Sequence, residues 1–200
     1  MHKHKQNSGK STAPNQRQAI RKGYEQYSVQ GFYEQFGDEY RNPQESAIQK
    51  VLQLAVSQWQ LDFHKVLDLA CGSGEVTLAL QSLGCNNIDG IDPYTYNAYL
   101  NRTGKEAEPY TFEDIASGIL NDRDYSLIVC SFAMHLLPES RLPIVVYQLG
   151  LIAHSMIIIT PNKRPHLKPE WGWLCLDEIM CSRVRSRLYQ RTYGQSGQGE

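Results

Sequence analysis

Apolar residues recur along this chain in two alternating patterns. Between residues 44 and 59 they fall on one face of a helix, beginning with Ile48, Val51 and Leu52. From residue 65 onward, short apolar runs of strand length alternate with helical segments. We expect strands at 65–69, 87–91, 110–112, 125–130 and 155–160, and helices at 76–83, 95–101 and 138–151. This alternation predicts an α/β fold, in which helices cover both faces of a doubly wound, mostly parallel sheet.

The C-terminal part of the chain predicts less regular structure. Residues 162–173 are rich in proline and basic side chains and indicate a loop, whereas 182–189 alternate like one final strand. We therefore expect the C-terminal strands of the sheet to be reduced to one. The predicted organisation is a flexible basic tail at 1–22, an N-terminal helical lid at 23–60, the α/β domain at 61–193 and a flexible tail at 194–200.

Composition and charge limit the class of protein. A hydrophobic fraction of 41% and a charged fraction of 20% fit a globular chain. No apolar run approaches the ~20 residues of a membrane span, so no membrane contact is expected. The five cysteines form no Cys-x-x-Cys pair, which favours reduced thiols, no metal site and a cytoplasmic location, with the nucleus as the alternative. Basic residues in the first tail and the last strand leave an RNA or protein partner open.

The strongest chemical signal lies at residues 66–75, where an apolar strand meets a helix. Gly72 and Gly74 permit a tight turn that approaches a ligand closely, and the helix that follows offers free N–H groups. A dinucleotide loop needs Gly-x-Gly-x-x-Gly or Ala, but Thr77 occupies the third position. Asp68, at the end of the strand, opposes an anionic pyrophosphate and favours a cationic ligand.

The segment from Asp68 to Gly74 resembles the first motif of the class I S-adenosylmethionine-dependent methyltransferases, an acidic residue followed by Gly-x-Gly-x-Gly. Ala70 stands in place of the first glycine, a variant that is frequent in that family. The resemblance extends over about residues 62–162. It implies a Rossmann-like fold with S-adenosylmethionine as the cofactor.

The resemblance also implies a set of cofactor-binding residues. Asp92, which follows Gly72 by 20 residues, matches the acid that accepts hydrogen bonds from both ribose hydroxyls. Pro93, with Tyr94 as the alternative, matches the residue that packs on the adenine. Asp114 matches the acid that accepts from the adenine amino group. The full set is Asp68, Ala70, Cys71, Gly72, Gly74, Asp92, Pro93, Asp114, Ile115 and Ser131, with Tyr33 and Arg41 from the lid.

A methyltransferase with an unidentified methyl acceptor is the function that the sequence favours. His135 follows the fourth strand, where the substrate approaches in the family, and is a candidate general base. The run Ser131-Phe-Ala-Met stands where some relatives have Asn-Pro-Pro-Tyr, so a small-molecule acceptor is favoured over protein or RNA. Two alternatives stay open: a noncatalytic subunit that binds or activates a partner, which the reduced C-terminus fits, and an NAD-dependent oxidoreductase. We also expect Asp92→Ala to lower cofactor affinity well before it lowers stability.

Overall fold

One mixed sheet organises the part of the chain that the computed structural model describes, which is Gly37 and residues 40–193. Its strands are β1 (Val66–Leu69), β2 (Ile88–Ile91), β3 (Ala107–Glu108), β4 (Tyr125–Ser131), β5 (Ala153–Thr160), β6 (Trp173–Cys181) and β7 (Val184–Arg191). The α-helices are α1 (Glu45–Gln58), α2 (Glu75–Ser82), α3 (Tyr96–Thr103), α4 (Phe112–Ala116) and α5 (Leu142–Ile152), and short 3-10 helices cover Met134–Leu136 and Pro169–Trp171.

The order of the strands confirms the predicted Rossmann-like α/β fold. They lie as β3-β2-β1-β4-β5-β7-β6. Neighbours from β3 through β5 are parallel, whereas β7 is antiparallel to both β5 and β6. The chain reverses its winding direction at β1, so the carboxyl ends of β1, β2 and β4 meet at one edge of the sheet.

Hydrophobic side chains form a core on each face of the sheet. Along β4, Ile128 and Cys130 belong to one core, while Leu127 and Val129 belong to the other. This is the two-residue alternation of a pleated strand. Residues of α4 and α5 complete the first core, and residues of α1 and α2 complete the second. Within the described residues, none of the helices has both the length and the apolar character needed to cross a membrane.

The helix predicted between residues 44 and 59 is confirmed as α1. Its apolar face is fully buried at Ile48, Val51 and Leu52, and it packs against α2, β6 and β7. The second half of the segment that was predicted as a lid therefore lies in the core of the domain. The tails at 1–22 and 194–200, and the lid residues before Tyr40 apart from Gly37, lie outside the described residues. Their predicted roles stay predictions.

The prediction of a third strand at 110–112 is wrong. The third strand is the two-residue β3, and the residues from Phe112 to Ala116 form α4. The helix begins because the Thr111 side chain accepts a hydrogen bond from the backbone N–H of Asp114, and the Asp114 carboxylate accepts from the N–H of Thr111. This reciprocal capping box holds the first turn of the helix.

The prediction of a single, reduced C-terminal strand is also wrong. Residues 173–181 form β6, which pairs with β7 as an antiparallel hairpin at the edge of the sheet. Two tryptophans anchor this strand: the Trp173 indole N–H donates to the Val146 carbonyl (2.8 Å), and the Trp59 indole N–H donates to the Asp177 carboxylate (2.9 Å). The alternation that would reveal β6 is interrupted because the pairing register shifts between Cys175 and Asp177.

Candidate functional site

The carboxyl ends of β1, β2 and β4 open into a cavity of about 320 Å³. The loops that follow these strands supply its walls, as expected where a doubly wound sheet reverses direction. A cavity of this size suits a small organic ligand. Of the predicted cofactor residues, those that line the cavity are Ala70, Cys71, Gly72, Asp92, Pro93, Ile115 and Ser131.

The loop after β1 turns through left-handed backbone conformations. The φ angles are 55° at Ala70, 57° at Gly72 and 88° at Gly74. Glycine adopts such angles without strain, whereas alanine at position 70 costs about 1 kcal/mol. The backbone N–H of Cys71 donates to the carbonyl of Ile91 (2.9 Å), which ties this loop to the end of β2.

Gly72 keeps open the space between the loop and two side chains. A Cβ atom at this position would lie 3.3 Å from the Tyr40 ring and 3.4 Å from Oε2 of Glu75. Both of those side chains also line the cavity. A side chain at position 72 would therefore occupy space that a ligand needs.

Asp92 is buried, and its carboxylate accepts hydrogen bonds from the loop after β1 and from the loop after β2. Its Oδ2 atom accepts from the N–H of Gly72 (3.1 Å), and Oδ1 accepts from the N–H groups of Tyr94 (2.9 Å) and Thr95 (3.0 Å). Burial raises the pKa of Asp92, and these backbone hydrogen bonds oppose the rise. Each carboxylate oxygen has more than one lone pair. Asp92 therefore keeps acceptor capacity toward the cavity that it lines.

Gly74 is not among the described residues that line the cavity. It makes room for two side chains of α3 beneath the loop. A Cβ atom on Gly74 would lie 2.5 Å from Cγ2 of Thr103 and 3.3 Å from the Tyr99 ring. A Cβ atom on Gly90, in β2, would lie 2.6 Å from the same ring. Glycine at position 90 thus makes room for the buried Tyr99 ring, whereas glycine at position 74 makes room mainly for the Thr103 methyl group.

Replacing Gly90 with alanine is expected to lower the free energy of unfolding by about 3 kcal/mol, because the added methyl group overlaps the Tyr99 ring. The matched control is Gly84→Ala. Gly84 has a φ of 93° and open space around its Cα, so only backbone strain of about 1 kcal/mol is expected. Urea denaturation of both variants measures the difference. Equal losses would show that packing on Tyr99 does not require Gly90.

Asp68 lies behind the loop and is likewise not among the described cavity-lining residues. Its Oδ2 atom accepts from the N–H (3.1 Å) and the hydroxyl (2.7 Å) of Thr77, whose hydroxyl also contacts the Tyr99 hydroxyl at 3.0 Å. Oδ1 is buried without a hydrogen-bond partner among the described residues. Burial raises the pKa of Asp68 to about 8. The geometry gives Asp68 a supporting role under the loop, and its predicted contact with the ligand stays a prediction.

The acid that reaches the cavity after β3 is Glu113. Asp114, the residue predicted to contact adenine, has its Oδ2 atom occupied by the N–H (2.8 Å) and hydroxyl (2.7 Å) of Thr111. These hydrogen bonds lower the pKa of Asp114. Glu113 and its neighbours Phe112 and Ile115 line the cavity, whereas Asp114 is not among the described lining residues. The structure gives Asp114 a capping role, and its adenine contact stays a prediction.

Three further predicted residues are not placed in the cavity wall. His135 is half-buried in the 3-10 helix after β4, where burial lowers the pKa of its imidazole and Nδ1 has no partner among the described residues. Arg41 is exposed and donates to the Tyr40 carbonyl (2.6 Å). Tyr33 lies outside the described residues. The roles proposed for these three residues therefore stay predictions.

Several residues of the cavity wall were not among the predicted site residues. They are Tyr40, Asn42, Leu69, Glu75, Ile91, Tyr110, Thr111, Phe112, Glu113, Phe132, Ala133, Leu136, Leu137 and Pro138. Two features of the sequence could have indicated some of these residues. Glu75 directly follows the loop glycine, and Thr111-Phe-Glu-Asp114 has the spacing of a capping box that begins a helix at the cavity.

Comparison with known proteins identifies the family. Residues 38–193 match a family model described as a methyltransferase domain. The chain belongs to this methyltransferase family. It is 33% identical to the uncharacterized protein C17A5.05c of Schizosaccharomyces pombe, over 78% of this chain and 79% of that protein.

Solved structures share the fold of this methyltransferase. Magnesium protoporphyrin IX methyltransferase from Synechocystis PCC 6803, with bound S-adenosylhomocysteine, superposes with a TM-score of 0.59 at 14% identity, covering 88% of this chain and 100% of that chain. An O-methyltransferase family protein from Burkholderia thailandensis gives a TM-score of 0.60 at 15% identity, covering 84% and 61%. The Synechocystis enzyme has also been solved with bound S-adenosylmethionine, the cofactor that the sequence of this chain predicts.

The residues of the cavity fit this cofactor. Asp92 offers acceptors for ribose hydroxyls, and Pro93, Phe112 and Ile115 offer an apolar surface for adenine. Gly72 leaves the loop backbone open beside Asp92. Among the described lining residues there is no lysine, arginine or histidine. The site therefore suits the cationic sulfonium and ammonium groups and opposes the pyrophosphate of a dinucleotide.

Proposed function

We propose that this methyltransferase acts on a small molecule that lacks phosphate groups. The observation that supports this acceptor class is the wall that follows β4. It consists of Phe132, Ala133, Leu136, Leu137 and Pro138, and the described part of the lining provides no basic side chain. An apolar wall without basic groups favours an acceptor with an apolar body.

An RNA acceptor has less support, because two arginines of the predicted basic strand are already paired. Arg187 is buried, contacts the Glu178 carboxylate (2.6 Å) and donates to the Pro165 carbonyl (2.8 Å). Arg185 also pairs with Glu178. Exposed Lys163 and Arg164 still offer charge on this side of the domain, so RNA and protein acceptors remain outcomes of the test.

The cofactor supplies an activated methyl group, and the chain contributes binding, orientation and exclusion of water. Asp92 and the loop after β1 hold the cofactor end of the cavity, while the apolar wall excludes water near the acceptor.

The alternative of a noncatalytic subunit rested on the prediction that the C-terminal strands are reduced. The complete β6–β7 hairpin removes that argument.

The acceptor class can be tested with purified protein, cell extract and S-adenosylmethionine carrying a labelled methyl group. After fractionation into small molecules, RNA and protein, we expect label in the small-molecule fraction and a strongly reduced signal with Asp92→Asn. Label confined to RNA or to protein would contradict the proposed acceptor. Binding of S-adenosylhomocysteine without label in any fraction would favour the noncatalytic subunit.

We also propose that the protein is located in the cytoplasm, with the nucleus as the alternative. All five cysteines are free, and three of them are buried, which suits a reducing compartment. Imaging a fluorescent fusion of the full chain distinguishes the two locations.

A further inference from the structure

Glu75 is a buried acid that faces the cavity and that the predicted cofactor set does not include. It is the first residue of α2, and only 5% of its surface is exposed. We propose that Glu75, rather than Asp68, supplies the carboxylate that binds the α-ammonium group at the methionine end of the cofactor. This proposal rests on the use of S-adenosylmethionine by this chain and names the residue that recognises one part of it.

One carboxylate oxygen of Glu75 is fixed by protein donors. Oε1 accepts from the backbone N–H of Asn42 (3.0 Å), from Nη1 of Arg102 (3.1 Å) and from the hydroxyl of Ser73. These donors come from the segment before α1, from α3 and from the loop after β1. They hold the side chain in one orientation without a contribution from a ligand.

The other oxygen is directed toward the open space at the loop. Oε2 accepts no hydrogen bond from the described residues, and it lies 3.4 Å from the position that a Cβ atom on Gly72 would take. The absence of a side chain at Gly72 therefore leaves Oε2 facing the cavity. A carboxylate that is already oriented and partly desolvated forms strong hydrogen bonds with an ammonium group.

The charges around the cavity favour a cation at this end. The lining acids are Glu75, Asp92 and Glu113, and the described lining residues include no basic side chain that would offset them. Arg102 contacts the far oxygen of Glu75 and is also paired with Glu45. The side of Glu75 that faces the cavity therefore keeps a net negative charge.

Asp68 is less suited to this role. It is 1% exposed and lies behind the loop, with Oδ2 held by Thr77. Because burial raises the pKa of Asp68 to about 8, the group carries little negative charge at neutral pH. Glu75 is the acid that combines burial, a fixed orientation and access to the cavity.

The test compares ligands that differ only at the methionine end, by calorimetric titration of the full chain. Glu75→Gln keeps the size of the side chain and an acceptor for the Oε1 donors but removes the charge. We expect its affinity for S-adenosylhomocysteine to fall roughly 10- to 100-fold, the range for a hydrogen bond to a charged group. Its affinity for methylthioadenosine, which lacks the amino-acid end, should stay the same.

Two control variants separate this effect from damage to the loop. Asp68→Asn should change the affinity for S-adenosylhomocysteine much less than Glu75→Gln does. Asp92→Asn should weaken both ligands, because both contain the ribose. If Glu75→Gln weakens both ligands equally, or neither, then Glu75 does not bind the ammonium group.

A third comparison uses only the wild-type chain and so does not depend on the folding of a variant. The deamino analogue of S-adenosylhomocysteine should bind at least about tenfold more weakly than S-adenosylhomocysteine itself. Equal affinities would overturn the proposal even if Glu75→Gln fails to fold. A wild-type chain that binds none of these ligands would instead overturn the cofactor assignment, and with it the role of Glu75.

Discussion

Between about pH 4 and pH 8, the free energy of unfolding of the wild-type protein is expected to fall by several kcal/mol relative to that of Asp68→Asn. Burial raises the pKa of Asp68 to about 8 in the folded protein, from an ordinary value of 3.8. Within this window the folded state holds a proton that the unfolded state has lost. Unfolding therefore releases a proton, and a rise in pH favours the unfolded state.

The size of this effect follows from the width of the window. Each pH unit contributes about 1.4 kcal/mol, so the full difference is on the order of 5 kcal/mol. Below about pH 4 both states are protonated, and above about pH 8 both are ionised, so the difference stops changing. Urea denaturation of the two proteins across this range measures it. Parallel stability curves would show that Asp68 is not held neutral by burial.

The Asp92→Asn variant is expected to bind S-adenosylhomocysteine about 100-fold more weakly than the wild type. The substitution removes the charge of the predicted acceptor for the ribose hydroxyls, and hydrogen bonds to charged groups contribute about 1.5–3 kcal/mol each. Calorimetric titration gives the affinity. Asp177→Asn is a matched control, because it makes the same substitution in β6, at a carboxylate that accepts from Trp59 and is not among the described lining residues. Its affinity for S-adenosylhomocysteine should equal that of the wild type.

The structure also revises our expectation that changes at Asp92 affect affinity well before stability. The carboxylate accepts from the N–H groups of Gly72, Tyr94 and Thr95. An amide group at position 92 cannot accept from all of them, so at least one buried donor loses its partner. We expect the free energy of unfolding to fall by about 1–3 kcal/mol. Unchanged affinity together with unchanged stability would contradict both roles of Asp92.

The parts of the fold that were predicted correctly are those where burial on both faces produces a clear pattern. β1, β4 and β5 are mostly apolar and largely buried because helices cover both sides of the sheet. β3 consists of only Ala107 and Glu108, too short to show any periodicity. β6 is an edge strand whose register shift and exposed Leu174 and Leu176 interrupt the alternation.

The predicted site shows a similar division. Residues that sit at the end of a strand, such as Ala70 and Asp92, line the cavity because the ends of parallel strands converge there. Which of two adjacent residues faces the ligand depends on local backbone geometry, as the capping box shows for Glu113 and Asp114. Glu75 could not be assigned by spacing alone, because its orientation depends on donors from Asn42 and Arg102, which are distant in the sequence.

We assign the cofactor to the cavity at the carboxyl ends of β1, β2 and β4. Hydrogen exchange with and without saturating S-adenosylhomocysteine tests this assignment directly, because ligand contact slows exchange locally. We expect new protection in the loop after β1, from Ala70 to Glu75, and around Asp92 and Ile115. Protection confined to the opposite end of the sheet, or no change at millimolar ligand, would contradict the assignment.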